Sequence, residues 1–280
     1  MSPPLAQRTT FTAKDGTSLA SYRWQPDAEA RGIVVIVHGY GHHTASFEEL
    51  AGHLCGAGLV VCGFDQRGHG LSPGKRGHID SFATFIDDLR SYLGSISDTT
   101  PDLPLFLLGH SLGGLIVGLY AIEDRPGFRG LAFSSPLLKI PDSVSPTLVR
   151  LGDFLGTWLP WLPVERVDYK WVSRDADVLE TVLSDPLRHT GTMNARTGAE
   201  IARAIAIFQS AMRTISEPLL VFHGTSDRLT DVEGSRAFFD AAASEDKTLN
   251  IYEGGYHELF NDLERERFAK ELTAWLIERC

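Results

Sequence analysis

Leu107-Leu108-Gly109-His110-Ser111-Leu112-Gly113-Gly114 sets a serine between two glycines where one apolar run gives way to a second, longer one. Residues 104–108 have the length and composition of a strand buried on both faces, and 115–122 read as a helix buried all round. A turn this abrupt forces its central residue into a strained backbone conformation. Glycines two positions either side remove β-carbons that would meet neighbouring backbone. Gly-x-Ser-x-Gly in that setting is a nucleophile elbow, which lifts the Ser111 hydroxyl above the sheet.

Outward from the elbow, short apolar runs recur at 33–37, 59–64, 105–108, 131–133, 219–222 and 248–252, mostly separated by helical patterns. Strands alternating with helices predict an α/β fold with a mostly parallel, twisted sheet covered on both faces. Residues 9–13 and 18–24, joined through Asp15-Gly16, read as an antiparallel hairpin before it. The alternation breaks between 134 and about 213, where no strand is expected and the character is helical. There Leu148, Leu151, Leu155, Trp158 and Leu162 recur at three- and four-residue steps, with Phe154, Leu159 and Trp161 widening the apolar surface and Pro160 and Pro163 ending it. Such a helix either fills a core or covers an apolar cavity, and the residues alone leave both readings open.

A serine hydroxyl needs a base, the base needs an orienting acid, and the oxyanion needs preorganised donors. In this architecture the side chains follow the order Ser, acid, His. Asp227 lies in the loop after the strand at 219–222, and His257 in the loop after 248–252, both at the carboxyl ends of parallel strands. Asp231 is the rival acid, placed in the first turn of the next helix, where a carboxylate serves the helix dipole. The Leu112 N–H follows the nucleophile, and His38-Gly39-Tyr40-Gly41 follows the first parallel strand, so the N–H groups of Leu112 and Tyr40 are the expected oxyanion donors. The segment 65–72, Asp-Gln-Arg-Gly-His-Gly-Leu-Ser, is read as hydrogen-bonding its own loop. His42-His43 lacks the carboxylate or cysteine companions of a metal site and is expected in a solvated loop. Without a phosphate-binding loop or dinucleotide fingerprint, no cofactor and no metal are expected.

The 280 residues, 43% of them hydrophobic, suffice for a sizeable core. A net charge of −10 and a pI near 5.4 argue against nucleic acid and against electrostatic attraction to anionic membranes. Cys55, Cys62 and Cys280 form no disulfide or zinc spacing, which fits a reducing cytoplasm, and neither a signal peptide nor a membrane-spanning run is read.

These residues resemble the α/β-hydrolase superfamily and, within it, the monoacylglycerol lipase and lysophospholipase group. The resemblance is carried by the segments 38–42, 65–72 and 109–114, by Ser184-Asp185-Pro186-Leu187, and by 223–228 and 247–258. It implies a serine hydrolase with Ser111, Asp227 and His257 as triad and Tyr40 and Leu112 as oxyanion hole. It divides the chain into a hydrolase core, 1–135 and 213–280, and a helical cap, 136–212, that lines an acyl-chain tunnel and touches membrane or micelle surfaces. Tyr40, Leu151, Leu155 and Trp158 are then expected to meet the substrate, although relatives often carry a smaller or apolar residue at position 40. The expected reaction converts monoacylglycerol to glycerol and fatty acid. Lysophospholipase or broad carboxylesterase activity is the alternative, and a non-catalytic ligand-binding protein on the same fold is the reading from another class.

Overall fold

The computed structural model describes residues 5–97, 103–124, 127–140 and 144–280; the side chains of 146, 148–150 and 153, Leu148 among them, lie outside that description. The chain opens with a hairpin of β1 (Gln7–Thr12) and β2 (Ser18–Trp24), whose turn places Gly16 at φ 85°. Then follow β3 (Gly32–Val37), α1 (Glu48–Gly56), β4 (Leu59–Phe64), α2 (Phe82–Ser97), β5 (Leu105–His110), α3 (Leu112–Asp124) and β6 (Gly130–Ser134). An insertion holds α4 (Pro146–Trp158), β7 (Pro163–Arg166), α5 (Ala176–Ser184), β8 (Thr192–Asn194) and α6 (Ala195–Ala211). The chain closes with β9 (Leu219–Gly224), α7 (Val232–Ala241), β10 (Lys247–Tyr252) and α8 (Arg265–Ile277).

Among the described residues, eight strands form one sheet in the order β1-β2-β4-β3-β5-β6-β9-β10. The β1–β2 and β2–β4 pairs are antiparallel and the rest parallel. Every residue of β3 and β4 is buried, as expected of strands covered on both sides. Alternate side chains point to opposite faces: Ile33, Val35 and Val37 pack with α2, α3 and α6, whereas Val34 and Ile36 pack with α1 and α8. Because β3 has β4 on one side and β5 on the other, the chain reverses its winding direction there. The crevice at the carboxyl ends of β3 and β5 is where such sheets bind ligands. The loop 38–43 and Ser111 both emerge into it.

The insertion departs from expectation in two respects. It contains an antiparallel pair, β7 with β8, joining Pro163 to Asn194 and Arg166 to Thr192. Strands of four and three residues show no alternation long enough to read as such. Helix α4 stops at Trp158, so Leu162 lies beyond it; Pro160 has no N–H with which to continue the ladder. Helix α6 anchors the insertion: a Cβ on Gly118 of α3 would meet the Phe208 ring at 2.5 Å. Nearer the start of the same helix, Thr197 and Glu200 accept hydrogen bonds from the Ile79 and Phe82 N–H groups at 2.9 Å.

Candidate active site

Ser111 takes φ 54°, a left-handed conformation that costs a non-glycine residue about 1–3 kcal/mol. Surrounding backbone holds it there: its N–H donates to the Ser134 carbonyl, and its own carbonyl accepts from Gly114 and Leu137, each at 3.0 Å. A Cβ on Gly109 would lie 2.7 Å from the Gly113 carbonyl oxygen, and one on Gly113 would collide with the Val37 carbonyl. Both glycines are therefore required by the close approach of three backbones. Gly39 passes so near that a Cβ there would sit 2.9 Å from Ser111 Cβ, which brings the loop after β3 against the serine. Leu112 opens α3, so its N–H is among the helix's unsatisfied donors. Among the described loops, no backbone carbonyl accepts from the Tyr40 or Leu112 N–H.

Asp227 and His257 meet at 2.7 Å, Oδ2 to Nδ1. The Asp227 side chain is fully buried, and its Oδ1 accepts the Leu229 and Thr230 N–H groups at 2.7 and 3.0 Å. Oδ2 also accepts the Thr230 hydroxyl at 2.8 Å and faces His223 Nε2 at 3.4 Å. Burial alone would raise this carboxyl; the imidazoles of His257 and His223 outweigh it and hold the group far below the usual carboxylate range. Asp231 instead caps α7 through the Glu233 N–H and pairs with Lys139. His110 lies 4.8 Å from the His257 ring, and its own position far below the ordinary histidine range comes from burial and then from that neighbour.

Ser111 and His257 share a cavity of about 510 Å³. Its lining includes apolar side chains, among them Leu137, Ile140, Leu155, Val167, Met193 and Ile205, and polar ones, among them Tyr40, His42, Tyr169, Arg188 and Glu258. Leu155 and Tyr40 line it, whereas Leu151 and Trp158 do not: they are 48% and 68% exposed on the outside of α4. The inward stripe of α4 carries Gly152, Leu155 and Gly156, and a Cβ on Gly156 would lie 2.7 Å from Ala199 Cβ of α6. Glycines are silent in an apolar pattern, so the sequence points to the wrong face of the helix.

His42 and His43 are buried, not solvated. The insertion covers them: His43 Nε2 lies 2.7 Å from Asp185, and His42 Nε2 lies 2.7 Å from Arg188 and 3.1 Å from Glu258. His223 and Glu258 fall within the segments that carry the resemblance, whereas Arg188 and Thr230 have no local signature that would separate them from ordinary surface residues. The segment 65–72 bonds its own surroundings: Asp65 accepts from the Thr44 and Leu71 N–H groups and the Tyr22 hydroxyl, and Arg67 grips Asp88 with two prongs at 2.7 and 2.6 Å.

Residues 28–264 match the family model described as serine aminopeptidase, S33. The monoacylglycerol lipase of Mycolicibacterium smegmatis is 38% identical over 272 residues, covering 96% of each chain. The monoglyceride lipase of Homo sapiens is 35% identical over 95% of this chain and 88% of its own. Among solved structures, the monoacylglycerol lipase of Paleococcus ferrophilus superposes with a TM-score of 0.84 at 34% identity, over 94% of this chain and 99% of that one. By its sheet order, its elbow and these matches, the chain belongs to the serine aminopeptidase S33 family of α/β-hydrolases, alongside the monoacylglycerol lipases.

Proposed function

We propose that the protein hydrolyses carboxylic esters of acyl lipids, monoacylglycerols foremost, to free fatty acid and alcohol. The observation that carries this reading is the meeting of Ser111 and His257 in one cavity lined mainly by apolar surface. The Ser111 hydroxyl oxygen attacks the ester carbonyl carbon as His257 Nε2 takes its proton. Asp227 holds the Nδ1 proton of the same ring and stabilises the imidazolium. The tetrahedral oxyanion accepts from the Tyr40 and Leu112 N–H groups, each typically worth about 2.7–4 kcal/mol. Collapse expels the alcohol with the proton from His257, and water, deprotonated by the same ring, releases the fatty acid and restores Ser111.

The insertion, 136–212, serves as the cap that supplies the acyl wall. Phe154, Trp158 and Trp161 stand 59%, 68% and 68% exposed on its outer surface, which suits contact with the lipid aggregates that hold such substrates. No helix among the described residues is long and apolar enough to cross a membrane.

A graded series of monoacylglycerols tests the reading. Each buried methylene is worth about 0.8 kcal/mol, so kcat/KM should rise by roughly fourfold per methylene until the cavity is full. Ser111→Ala should abolish both this activity and covalent labelling by a fluorophosphonate. A flat chain-length response, preference for lysophospholipids or aminoacyl anilides, or hydrolysis undiminished in Ser111→Ala would overturn it.

A further inference from the structure

The loop that carries His257 rests on the insertion, not on the hydrolase core alone. The His257 N–H donates to the Trp171 carbonyl at 3.2 Å and the Glu258 N–H to the Val172 carbonyl at 2.8 Å. The Glu258 side chain, one residue from the imidazole, is 2% exposed and meets a guanidinium, also from the insertion, that is 3% exposed. Arg188 Nη1 donates to Oε1 at 2.7 Å and Nη2 to Oε2 at 3.0 Å, a two-pronged fork in a dry setting. Asn261 Nδ2 donates to Oε2 at 2.9 Å. His42 completes the cluster. Its Nδ1 lies 3.0 Å from the His43 carbonyl, which makes Nδ1 the donor and leaves Nε2 to accept from Arg188 at 2.7 Å. The neighbouring segment also clamps the loop after β3, because the His189 N–H donates to the Gly41 carbonyl at 2.9 Å and Asp185 meets His43.

Arg188 therefore touches both the loop that bears the base and the loop proposed to bear an oxyanion donor. We propose that Arg188 is a positioning residue for the hydrolytic reaction: through its buried fork to Glu258 and its bond to His42, it holds the His257 loop and the 39–43 loop in register with Ser111. The 169–189 part of the insertion is then a fixed wall of the active site, and substrate entry falls to the side bearing α4. Burial and the arginine together keep His42 neutral, with its pKa lowered to about 4. Arg188 keeps Glu258 ionised despite its burial. Removing the guanidinium leaves a buried carboxylate with one proton acceptor beside it. His42 then takes up a proton to face Glu258, and its Nε2 turns from acceptor to donor. The three bonds that Arg188 makes to the two loops are lost, and the Glu258 and His42 side chains are left with one contact between them.

The proposal rests on the triad reading, and the experiment separates the two. With the full chain, kcat and KM are measured on a monoacylglycerol for Arg188→Met, Glu258→Gln and the double variant, normalised to sites titrated with fluorophosphonate, beside Ser111→Ala. The expected result is a fall in kcat of about tenfold or more in each single variant with KM within about threefold, and a double variant no more impaired than the worse single, because all three lose the same fork. If Arg188→Met does not fold, Arg188→Lys carries the same test, because it keeps the charge but not the planar fork. Folded single variants with kcat within twofold of the parent, a change in KM alone, or losses that multiply in the double variant or vanish from it would overturn the proposal. Hydrolysis surviving in Ser111→Ala would instead overturn the triad reading beneath it.

Discussion

Asp227 carries more partners than orienting a histidine requires. Two backbone N–H groups, the Thr230 hydroxyl and two imidazoles converge on one buried carboxylate. The Thr230 hydroxyl also lies 3.1 Å from the Ser135 carbonyl and 3.4 Å from His257 Nδ1. Thr230→Val keeps the shape and removes one charge-assisted contact, so kcat should fall by about tenfold with KM unchanged. Steady-state kinetics at two chain lengths check this, and a change confined to KM would reassign the hydroxyl to substrate binding. Ser111, Asp227 and His257 were legible as candidates because each lies in a loop directly after an apolar strand, in the order the architecture demands. Thr230 was not, since its partners are set by how the loop folds back on itself and not by any spacing.

At the scale of elements, α4 shows where periodicity misleads. Its large apolar residues recur at helical steps, yet the stripe facing α6 and the cavity is built on Gly152, Leu155 and Gly156. Small residues there let the helices approach closely, which leaves Leu151, Phe154 and Trp158 outside. If the proposed function holds, that exposed stripe meets the lipid aggregate and not the reacting ester. Replacing Trp158 and Trp161 together by serine should lower turnover of long-chain substrate presented in vesicles by about tenfold, through loss of buried aromatic area. Hydrolysis of a soluble short-chain ester should stay the same. Equal losses on both substrates would place these tryptophans in the catalytic fold instead.

Over the whole molecule, the site stands in a cluster of imidazoles withdrawn from water. Burial, above all, lowers the pKa of His42 and His69 to about 4 and those of His38 and His110 well below the ordinary 6.5. These groups are neutral when folded and protonate near pH 6.5 when unfolded, so the unfolded chain binds more protons as pH falls between about 6.5 and 4. Stability is thus highest above that window and drops through it by about 1.4 kcal/mol per pH unit for each such group. Glu258 and Asp227, held low by their cationic and imidazole partners, lose their contribution at still lower pH. Thermal melts from pH 7.5 to 4.5 should show a steep, monotonic fall in Tm; a flat profile would mean that the imidazoles become hydrated in the folded state.

From the sequence alone come the parallel sheet, the elbow and the order of the candidate nucleophile, acid and base. Each depends on periodicity or turn chemistry within a window of some ten residues, where local sterics and burial decide the outcome. Tertiary structure alone decides which face of α4 meets the cavity, that His42 and His43 are buried, and that Arg188 finds Glu258 across 70 residues of chain. A charged side chain in a sequence carries no mark of its partner. Only when the insertion folds back over the carboxyl ends of the strands does water leave that cluster and the ion pair acquire its place beside Ser111.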